Sequence, residues 1–408
     1  MYEVRVGNNQ NLSVFNRRAV LHAVRLLQPT YRAEVARKTQ LKRPTITKIV
    51  GELQEKGYLR EFVGNDELES NGGRPPQLLE INGDIGHILA IDLEPDRIRV
   101  AVTNALLGIL VYRDRLIDRF SDSSVVLKQI IELCSEALQK QRNTRIQGIG
   151  ISLPGLIDRE KGILLSSTNM PKWKNVYIRD ILSERLGLPV KVDRSSYLAA
   201  LYENWLHPPL KKKNCTLVVT LRTGVGLSMI RDGIIQLGET GYDGEIGHTL
   251  IDINGQKCEC GSSGCLETFI SASAICKQVE KYMSQGRCDL VRRTIDQGEV
   301  LTPELVYHLA SQGDPDSIEI VDYVGKYLGI AISNMVNLFG ADEVIVSGSV
   351  DMTDGLILDS IKRTLHSNTL RHLRDNTIVV RLSNAKERAP LLGAAVLVAR
   401  DIFENVIR

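Results

Sequence analysis

The sequence lacks any uninterrupted apolar run of about 18 residues, the length that a membrane-spanning helix needs. Its opening stretch, MYEVRVGNNQNLSV, has no apolar core of the kind that a secretory signal peptide carries. A disulfide framework is also disfavoured, because the seven cysteines are odd in number and three of them lie in one short segment. We therefore expect a cytoplasmic protein with reduced thiols and no membrane partner.

Charge is unevenly distributed along the 408 residues, although the net charge is only +2. The first 62 residues hold 12 Lys and Arg against 5 Asp and Glu, so the remainder of the chain is mildly acidic. The length and the 43% hydrophobic content suit two or three globular domains. A basic end on an acidic body is typical of a nucleic-acid-binding module attached to another domain.

Three short helices are predicted in the basic segment. Apolar residues recur at helical spacing from Leu12 to Leu27 and stop before Pro29. A second helical stretch reads YRAEVARKTQL, and a third starts at Pro44, a favoured first-turn residue, and continues to Gly57. Three helices with such tight connections predict a helix-turn-helix.

Two short strands are predicted after these helices, at residues 59–63 and 77–81, with a polar Gly- and Pro-containing loop between them. This hairpin is typical of the wing of a winged helix. Residues 1–82 are therefore predicted to form a winged helix-turn-helix domain.

The third helix carries the residues expected to bind DNA. Its first turn presents Arg43, Thr45, Thr47 and Lys48 away from the apolar stripe, where a recognition helix meets bases and phosphates. Arg74, in the hairpin loop, is placed to enter a minor groove. The alternative is a protein-interaction bundle with a solvated basic face. Double-stranded operator DNA is the partner that this segment favours.

The segment EIGHTLIDINGQKCECGSSGCLE brings one histidine and three cysteines together in the sequence. His248, Cys258, Cys260 and Cys265 supply four ligands of the type that Zn²⁺ prefers, so no further donor is needed. A site closed in this way predicts a structural zinc ion, because a catalytic zinc keeps one position open for water. The alternative is a set of free buried cysteines on a Gly-rich loop.

Beyond Asn82, apolar strands alternate with helices in two successive cycles, which predicts an α/β body of two lobes. The sequence here resembles the ROK family, named for repressors, open reading frames and sugar kinases. The resemblance covers nearly the whole chain and rests on RAEVARKTQLKRPTITKIVGELQEKGYL, GGRPPQLLEIN, SLPGLID, EIGH, CECGSSGCLE and LLGAA.

This resemblance implies a two-lobed, actin-like (ribonuclease H-like, sugar-kinase) domain with a cleft, assembled into homodimers or homotetramers. We expect a first lobe over residues 83–203 and a second over 204–408, with the C-terminal helix returning to the first lobe. In the family's kinases, the positions of Glu245, His248 and Glu267 contact sugar hydroxyls. For the two glutamates alone, the alternative is a surface carboxylate or a helix cap.

The catalytic parts of the family's kinases are altered in this chain. Where they have Asp-Ile-Gly-Gly-Thr-Lys to bind phosphate, residues 92–97 read DLEPDR, which lacks the glycines and adds carboxylates. In the second phosphate-binding turn, Arg222 and Leu227 replace residues that are usually glycine. Arg194 and Ser195 occupy the positions of the Asn-Asp pair, whose aspartate is the general base. A register shift that makes Asp193 the base is the remaining alternative.

We therefore predict a transcriptional regulator, a repressor of carbohydrate-metabolism genes, with no kinase activity and with a degenerate kinase domain that senses a sugar or sugar phosphate. The rival hypotheses are an active sugar kinase and a regulator controlled by a protein partner. Arg194 leaves two interpretations open. It could bind an anionic sugar, or pair with Glu245 or Glu267 and fill an empty pocket.

Overall fold

The computed structural model describes residues 9–63, 77–141, 144–207, 215–238, 242–374 and 378–405. Within these ranges no helix combines the length and the apolar character that crossing a membrane requires.

The N-terminal part consists of three helices and a small antiparallel sheet in the order β1-β3-β2. Its elements are α1 (Asn9–Leu27), β1 (Thr30–Tyr31), α2 (Arg32–Thr39), α3 (Arg43–Glu55), β2 (Leu59–Val63) and β3 (Gln77–Ile81). The three predicted helices and both predicted strands are present. Sequence patterns missed β1, because two residues are too few to show a period of alternation.

Helix α3 forms where its sequence favours a helix start and a buried stripe. Pro44 lies in the first turn, where its missing N–H costs no hydrogen bond. Ile46, Ile49, Val50 and Leu53 recur every three or four residues and are buried against the other two helices. The opposite face of α3 is consequently free for other contacts.

The first lobe is built on a five-stranded sheet in the order β11-β7-β4-β5-β6, beside a small sheet β10-β9-β8. The elements are β4 (His87–Leu93), β5 (Arg97–Asn104), β6 (Ile109–Leu116), α4 (Ser123–Gln139), β7 (Ile146–Leu153), β8 (Leu156–Asp158), β9 (Ile163–Ser166), β10 (Lys174–Val176), α5 (Ile178–Leu186), β11 (Val190–Arg194) and α6 (Ser195–Leu206). Strands β4, β5 and β6 are antiparallel neighbours, whereas β7 and β11 run parallel to β4.

The second lobe has its own five-stranded sheet in the order β14-β13-β12-β15-β16. Its elements are β12 (Cys215–Leu221), β13 (Val225–Arg231), β14 (Ile234–Ile235), α7 (Glu267–Ile270), α8 (Ala272–Ser284), α9 (Asp289–Asp296), α10 (Pro303–Ser311), α11 (Pro315–Phe339), β15 (Glu343–Gly348), α12 (Leu356–Asn368), α13 (Arg371–Arg374), β16 (Val379–Leu382) and α14 (Ala389–Asn405). An apolar core of strand and helix residues fills the space between this sheet and α8, α10, α11 and α12.

The last helix, α14, packs on β4 and β7 of the first lobe and alongside α6. At two points these contacts are backbone to backbone. A Cβ atom on Gly393 would lie 1.9 Å from the carbonyl oxygen of Leu198 in α6. A Cβ atom on Gly150 in β7 would lie 1.8 Å from the carbonyl oxygen of Ala394. The two glycines therefore let α6, α14 and the sheet approach more closely than any side chain would permit.

The N-terminal module shares one apolar core with α6 and α14. At their junction the Trp205 and Phe403 rings meet edge to face, with centroids 5.5 Å apart. The guanidinium of Arg25 lies 3.8 Å above the Trp205 ring. Burial, assisted by nearby Arg25, lowers the pKa of His22 to about 4, so this imidazole is neutral at pH 7. The module is thus attached to the body by a joint of packed apolar and aromatic side chains.

The close approach at Gly393 predicts a specific sensitivity. Gly393→Ala should lower the free energy of unfolding by about 1–3 kcal/mol or more, because the new methyl group collides with a backbone carbonyl. The control is Gly51→Ala in α3, where an added Cβ meets no atom within 4 Å. It should raise stability by up to about 1 kcal/mol, since alanine favours a helix. Urea denaturation followed by circular dichroism compares the two. A Gly393→Ala protein as stable as wild type would refute this packing.

Candidate ligand pocket and metal centre

A cavity of about 110 Å³ lies between the two lobes. Its wall is made by the turn after β7, the loop after β9, the start of α6, the β12–β13 turn and the loop that leads into α7. All four residues predicted to bind an effector line it: Arg194, Glu245, His248 and Glu267. Residues separated by up to 73 positions in the sequence are therefore brought to one pocket.

Glu267 is held in place by the backbone around it. Its Oε1 accepts a hydrogen bond from the Val225 amide at 2.8 Å. A Cβ atom on Gly224 would lie 2.6 Å from that oxygen, and one on Gly247 would lie 2.7 Å from the Glu267 Cγ. Burial raises the pKa of Glu267, while the Val225 hydrogen bond and His248 oppose this shift. The carboxylate is fixed as an acceptor at the pocket wall.

Arg194 is only 4% exposed, and its charge is matched by acidic partners. Its Nη1 donates to the Asp243 carbonyl oxygen at 2.6 Å and its Nη2 donates to Asp243 Oδ1 at 3.0 Å. Glu245 Oε1 lies 3.4 Å from Nη1. Of the two glutamates considered as partners, Glu245 is therefore the one in contact, and Asp243 is an additional partner.

Asp193 lies next to this arginine but faces another set of groups. Its Oδ1 accepts hydrogen bonds from Arg159 Nε and from the Arg194 amide, both at 2.8 Å. Burial raises the pKa of Asp193, while Arg159 and Arg194 oppose the rise. The pocket wall contains Ser195 and not Asp193. Asp193 is thus already paired, on a side of the chain away from the cavity.

The His/Cys loop brings its four predicted ligands together. The ligand atoms of His248, Cys258, Cys260 and Cys265 all lie within 4.8 Å of one another. His248 Nδ1 is 3.7 Å from Cys258 Sγ, and the sulfur atoms of Cys260 and Cys265 are also 3.7 Å apart. This cluster could hold a metal ion.

Its two 3.7 Å separations match the edge of a zinc tetrahedron, because Zn–S bonds of about 2.3 Å give ligand-to-ligand edges of about 3.8 Å. The loop is closed by short bridges from Leu250 to Cys265 and from Lys257 to Ser263. Gly264 has φ +70°, and a Cβ there would lie 1.7 Å from the Asp252 carbonyl oxygen. Only glycine permits the turn that places Cys265 in the cluster.

The His248 ring has two different neighbours. Its Nδ1 faces the sulfur atoms, whereas its Nε2 lies 4.0 Å from Glu267 Oε2 at the pocket. A metal on Nδ1 would fix the ring and leave Nε2 as a hydrogen-bond donor toward a ligand.

A buried ion cluster occupies the region of the first phosphate-binding turn. Asp92 and Arg99 are opposite each other in the β4–β5 ladder, with Arg99 Nη1 3.5 Å from Asp92 Oδ2. Arg222 of the second lobe reaches across the cleft, and its Nη2 donates to Asp92 Oδ2 at 2.5 Å. Glu94 contacts both arginines, and Arg99 also donates to Glu387 at 3.0 Å. We call these five residues the interlobe ion cluster.

The cluster keeps Asp92 charged although this side chain is fully buried. Burial would raise the pKa of Asp92, but Arg222 and Arg99 lower it below its usual value of 3.8. The resulting stabilisation is present above the unfolded pKa and is lost as the pH falls through the folded value. Glu94 and its arginine partners therefore occupy this turn, where a phosphate would need open backbone amides.

The predicted DNA-binding residues of α3 lie on its solvent side. Arg43, Thr47 and Lys48 are exposed and Thr45 is partly so, opposite the buried stripe. Thr47 Oγ1 also donates to the Arg43 carbonyl oxygen at 3.1 Å. Arg74, the predicted minor-groove residue, lies outside the described residues.

Sequence reasoning missed Asp243, Arg99 and Glu387 as members of these sites. Arg99 and Glu387 are 288 residues apart, and nothing in their local patterns distinguishes them from surface charges. Arg222 did give a signal, because a long charged side chain replaced a residue that is usually glycine. That replacement alone did not show which residues would pair with Arg222 across the cleft.

Arg222 supplies the test of the ion cluster. Arg222→Gln should cost about 3–5 kcal/mol of unfolding free energy at pH 7, because it leaves Asp92 and Glu94 buried with less compensation. Arg97→Gln is the control, since it breaks an exposed ion pair with Asp114 and should cost no more than about 1 kcal/mol. Urea titration measures both losses. Equal losses in the two variants would contradict the importance of the cluster.

Comparison with known proteins places the chain in a family. The family model described as "ROK family" matches residues 88–401. The xylose repressor of Caldicellulosiruptor bescii is 29% identical, and the alignment covers 98% of each chain. The regulator NagC of Escherichia coli is 27% identical, over 99% of this chain and 97% of its own. A glucokinase from Halalkalibacterium halodurans is 32% identical over 62% of this chain and 76% of its own.

Among solved structures, a ROK family transcriptional regulator described as a homologue of the Escherichia coli Mlc protein superposes with a TM-score of 0.73. It is 25% identical, and the match covers 97% of this chain and 98% of that one. The mixed α/β, sugar-kinase fold expected from the sequence is thereby confirmed. The family model spans more than half of the chain, and the protein belongs to the ROK family.

Proposed function

We propose that the chain is a DNA-binding transcriptional repressor of carbohydrate-metabolism genes that binds a sugar in its cleft and does not phosphorylate it. The observation that carries this proposal is the interlobe ion cluster, which puts carboxylates where a kinase would bind phosphate. The ligand pocket beside the cluster retains its polar wall. Matches to repressors over nearly the full chain support the same conclusion.

In this proposal residues 1–82 bind DNA, and the lobes 83–203 and 204–408 enclose the effector. Arg43, Thr45, Thr47 and Lys48 contact bases and phosphates from α3, and Arg74 reaches the minor groove. A homodimer would present two such modules and a homotetramer four, so the operator would contain half-sites related by two-fold symmetry. Binding to chromosomal DNA would place the protein in the cytoplasm.

The charges in the pocket favour an uncharged sugar. Arg194 is already paired with Asp243 and Glu245, and Glu267 adds a further carboxylate at the wall. An anionic ligand would have to approach several carboxylates, and both arginines among the described residues of the wall, Arg194 and Arg222, already have acidic partners. Xylose is the sugar in the name of the Caldicellulosiruptor bescii relative, and N-acetylglucosamine is the sugar in the name of a repressor of Escherichia coli O6:H1 that is 27% identical; both sugars are neutral. Carboxylate oxygens and the His248 Nε2 can hydrogen-bond to hydroxyls of either sugar.

We further propose that the His/Cys cluster holds a structural Zn²⁺ ion. Four protein ligands would complete its coordination, which leaves no position for a reacting water. The ion would join the loop that carries Glu245 and His248 to the start of α7, where Glu267 lies. Its contribution to sugar binding is therefore to shape the pocket wall.

The recognition helix is tested with an operator duplex selected from random oligonucleotides. Arg43→Ala and Thr47→Ala should each weaken operator binding at least about fivefold, since a good base contact contributes about 1–3 kcal/mol. Lys56→Ala, an exposed charge beyond the end of α3, is the matched control and should change affinity less than about threefold. Fluorescence anisotropy at fixed salt measures all three. If the variants bind as wild type does, α3 is not the recognition helix.

The same assay with added sugars tests the effector. Neutral sugars, starting with D-xylose and N-acetylglucosamine, should shift thermal stability and weaken operator affinity, whereas their phosphates should do neither. A shift caused only by phosphates would overturn the proposed ligand class.

ATP-dependent turnover of any sugar above background would overturn the non-enzymatic assignment. Operator binding unaffected by every sugar would favour control by a protein partner.

Zinc content provides a separate check of the cluster. Cys260→Ser should lose most of the bound zinc and lower the unfolding temperature, because the exposed thiol is one of four ligands. Cys276→Ser, which alters a thiol outside the cluster, should retain one zinc ion per chain. Metal analysis by mass spectrometry with thermal unfolding distinguishes the variants. Equal zinc content in both would rule out the proposed site.

A further inference from the structure

Helix α6 connects the pocket wall with the underside of the N-terminal module. It begins at Ser195, which lines the cavity, and ends at Leu206. Its 12 residues give a length of about 18 Å at 1.5 Å per residue. The residue before it is Arg194, whose side chain is paired with Asp243 and Glu245. One continuous helix therefore has one end beside the ligand and the other end at the DNA-binding part.

Close packing against α14 limits how far α6 can move independently of that helix. A Cβ on Gly393 of α14 would lie 1.9 Å from the Leu198 carbonyl oxygen, so the two helix backbones are in direct contact. At this point no side chain separates the two backbones, and close packing of this kind transmits displacements. A shift at the start of α6 must move the helix and α14 together.

Both lobes hold α6 near its C-terminal end. The buried Glu203 accepts hydrogen bonds from Ser383 at 2.6 Å and from Arg381 at 3.1 Å, both in or next to β16 of the second lobe. Asn204 donates to the Gly233 carbonyl oxygen of the β13–β14 turn at 2.9 Å. Because α14 attaches α6 to the first-lobe sheet as well, a change in the angle between the lobes acts directly on this helix.

The C-terminal end of α6 contacts the DNA-binding module. Arg25 of α1 donates to the Trp205 carbonyl oxygen at 2.6 Å, and its guanidinium lies 3.8 Å from the centroid of the Trp205 ring. Carbonyl groups in the last turn of a helix lack partners within it and carry the negative end of its dipole. Arg25, which belongs to the N-terminal module, therefore supplies a hydrogen-bond donor to a carbonyl group at the C-terminal end of α6. His22 of α1 packs against Trp205 and Phe403 at the same joint, with centroids 6.2 Å from each.

We propose that α6 couples the pocket to the DNA-binding module, and that Arg25 and Trp205 are the positioning residues through which it acts. This inference rests on the proposed function, because it requires both an operator and an effector pocket. A change at the Arg194 end displaces α6 with α14, the Trp205 carbonyl moves, and α1 follows through Arg25. The orientation of α3 relative to DNA then depends on the state of the pocket.

The chain itself offers a second route between the two parts, through the connection from β3 to β4. There Arg60 pairs with Asp84 at 2.9 Å, but both side chains are more than half exposed. Such an exposed pair transmits little. Arg60 therefore provides a control that is matched in charge and also lies between the module and the body.

The test is a double-mutant cycle on operator affinity, in which Arg194→Gln alters the pocket end and Arg25→Gln alters the joint. The probe is the selected operator duplex in the full-length protein, with no added sugar. Arg194→Gln should change operator affinity, and Arg25→Gln should reduce that change at least about fivefold. Combining Arg194→Gln with Arg60→Gln should give effects that multiply independently to within about twofold.

Trp205→Phe is the second joint variant, since it keeps an aromatic ring against Phe403 while removing the larger indole face beneath Arg25. It should also suppress the effect of Arg194→Gln, and thermal unfolding identifies any variant that fails to fold. If Arg194→Gln leaves operator affinity unchanged, or if its effect persists in both joint variants, the coupling role of α6 is wrong while the repressor function stands. If wild type binds no selected duplex, the proposed function itself fails, and the inference with it.

Discussion

The packing of α14 against α6 and the first-lobe sheet is the constraint on which the arrangement of the whole protein depends. The last helix in the chain lies on strands β4 and β7, and its other face contacts α6. Its C-terminal part joins the apolar core of the N-terminal module through Phe403. Because glycines allow these backbones to touch, three separate parts of the chain are held at fixed distances by one element.

The cleft shows how contacts within the protein can occupy the region where a kinase-like frame would bind phosphate. Phosphate binding needs backbone amides and positive charge near a flexible glycine turn. Here Asp92 and Glu94 occupy that turn, where Arg99 of the same lobe and Arg222 of the other lobe neutralise them. An interaction that a bound nucleotide would make between the lobes is thus replaced by one made within the protein. The cleft can be held together with no nucleotide present.

Local features of the sequence predicted their structures well. The strands at 59–63 and 77–81 have the predicted bounds, and the His/Cys cluster was identified because its ligands lie within 18 residues. Features that depend on distant partners were not predictable in this way. Whether Arg194 would meet a ligand or an acid depended on Asp243, which lies just before the EIGH motif but 49 positions from Arg194 in the sequence. The interlobe ion cluster needed the fold itself, since Glu387 joins it from the far end of the chain.

His248 has one ring with two sets of neighbours, the sulfur atoms at Nδ1 and the pocket carboxylate at Nε2. Any substitution at this position therefore alters the His/Cys cluster and the pocket wall together. A phenotype of such a variant cannot be assigned to either role, however cleanly it is measured. The two roles are separable only through their other participants, with Cys260 reporting on the sulfur side and Glu267 on the pocket side. In a genetic screen, mutations of the cysteines and mutations of the pocket residues would form two separate groups. Mutations at position 248 would show the effects of both groups.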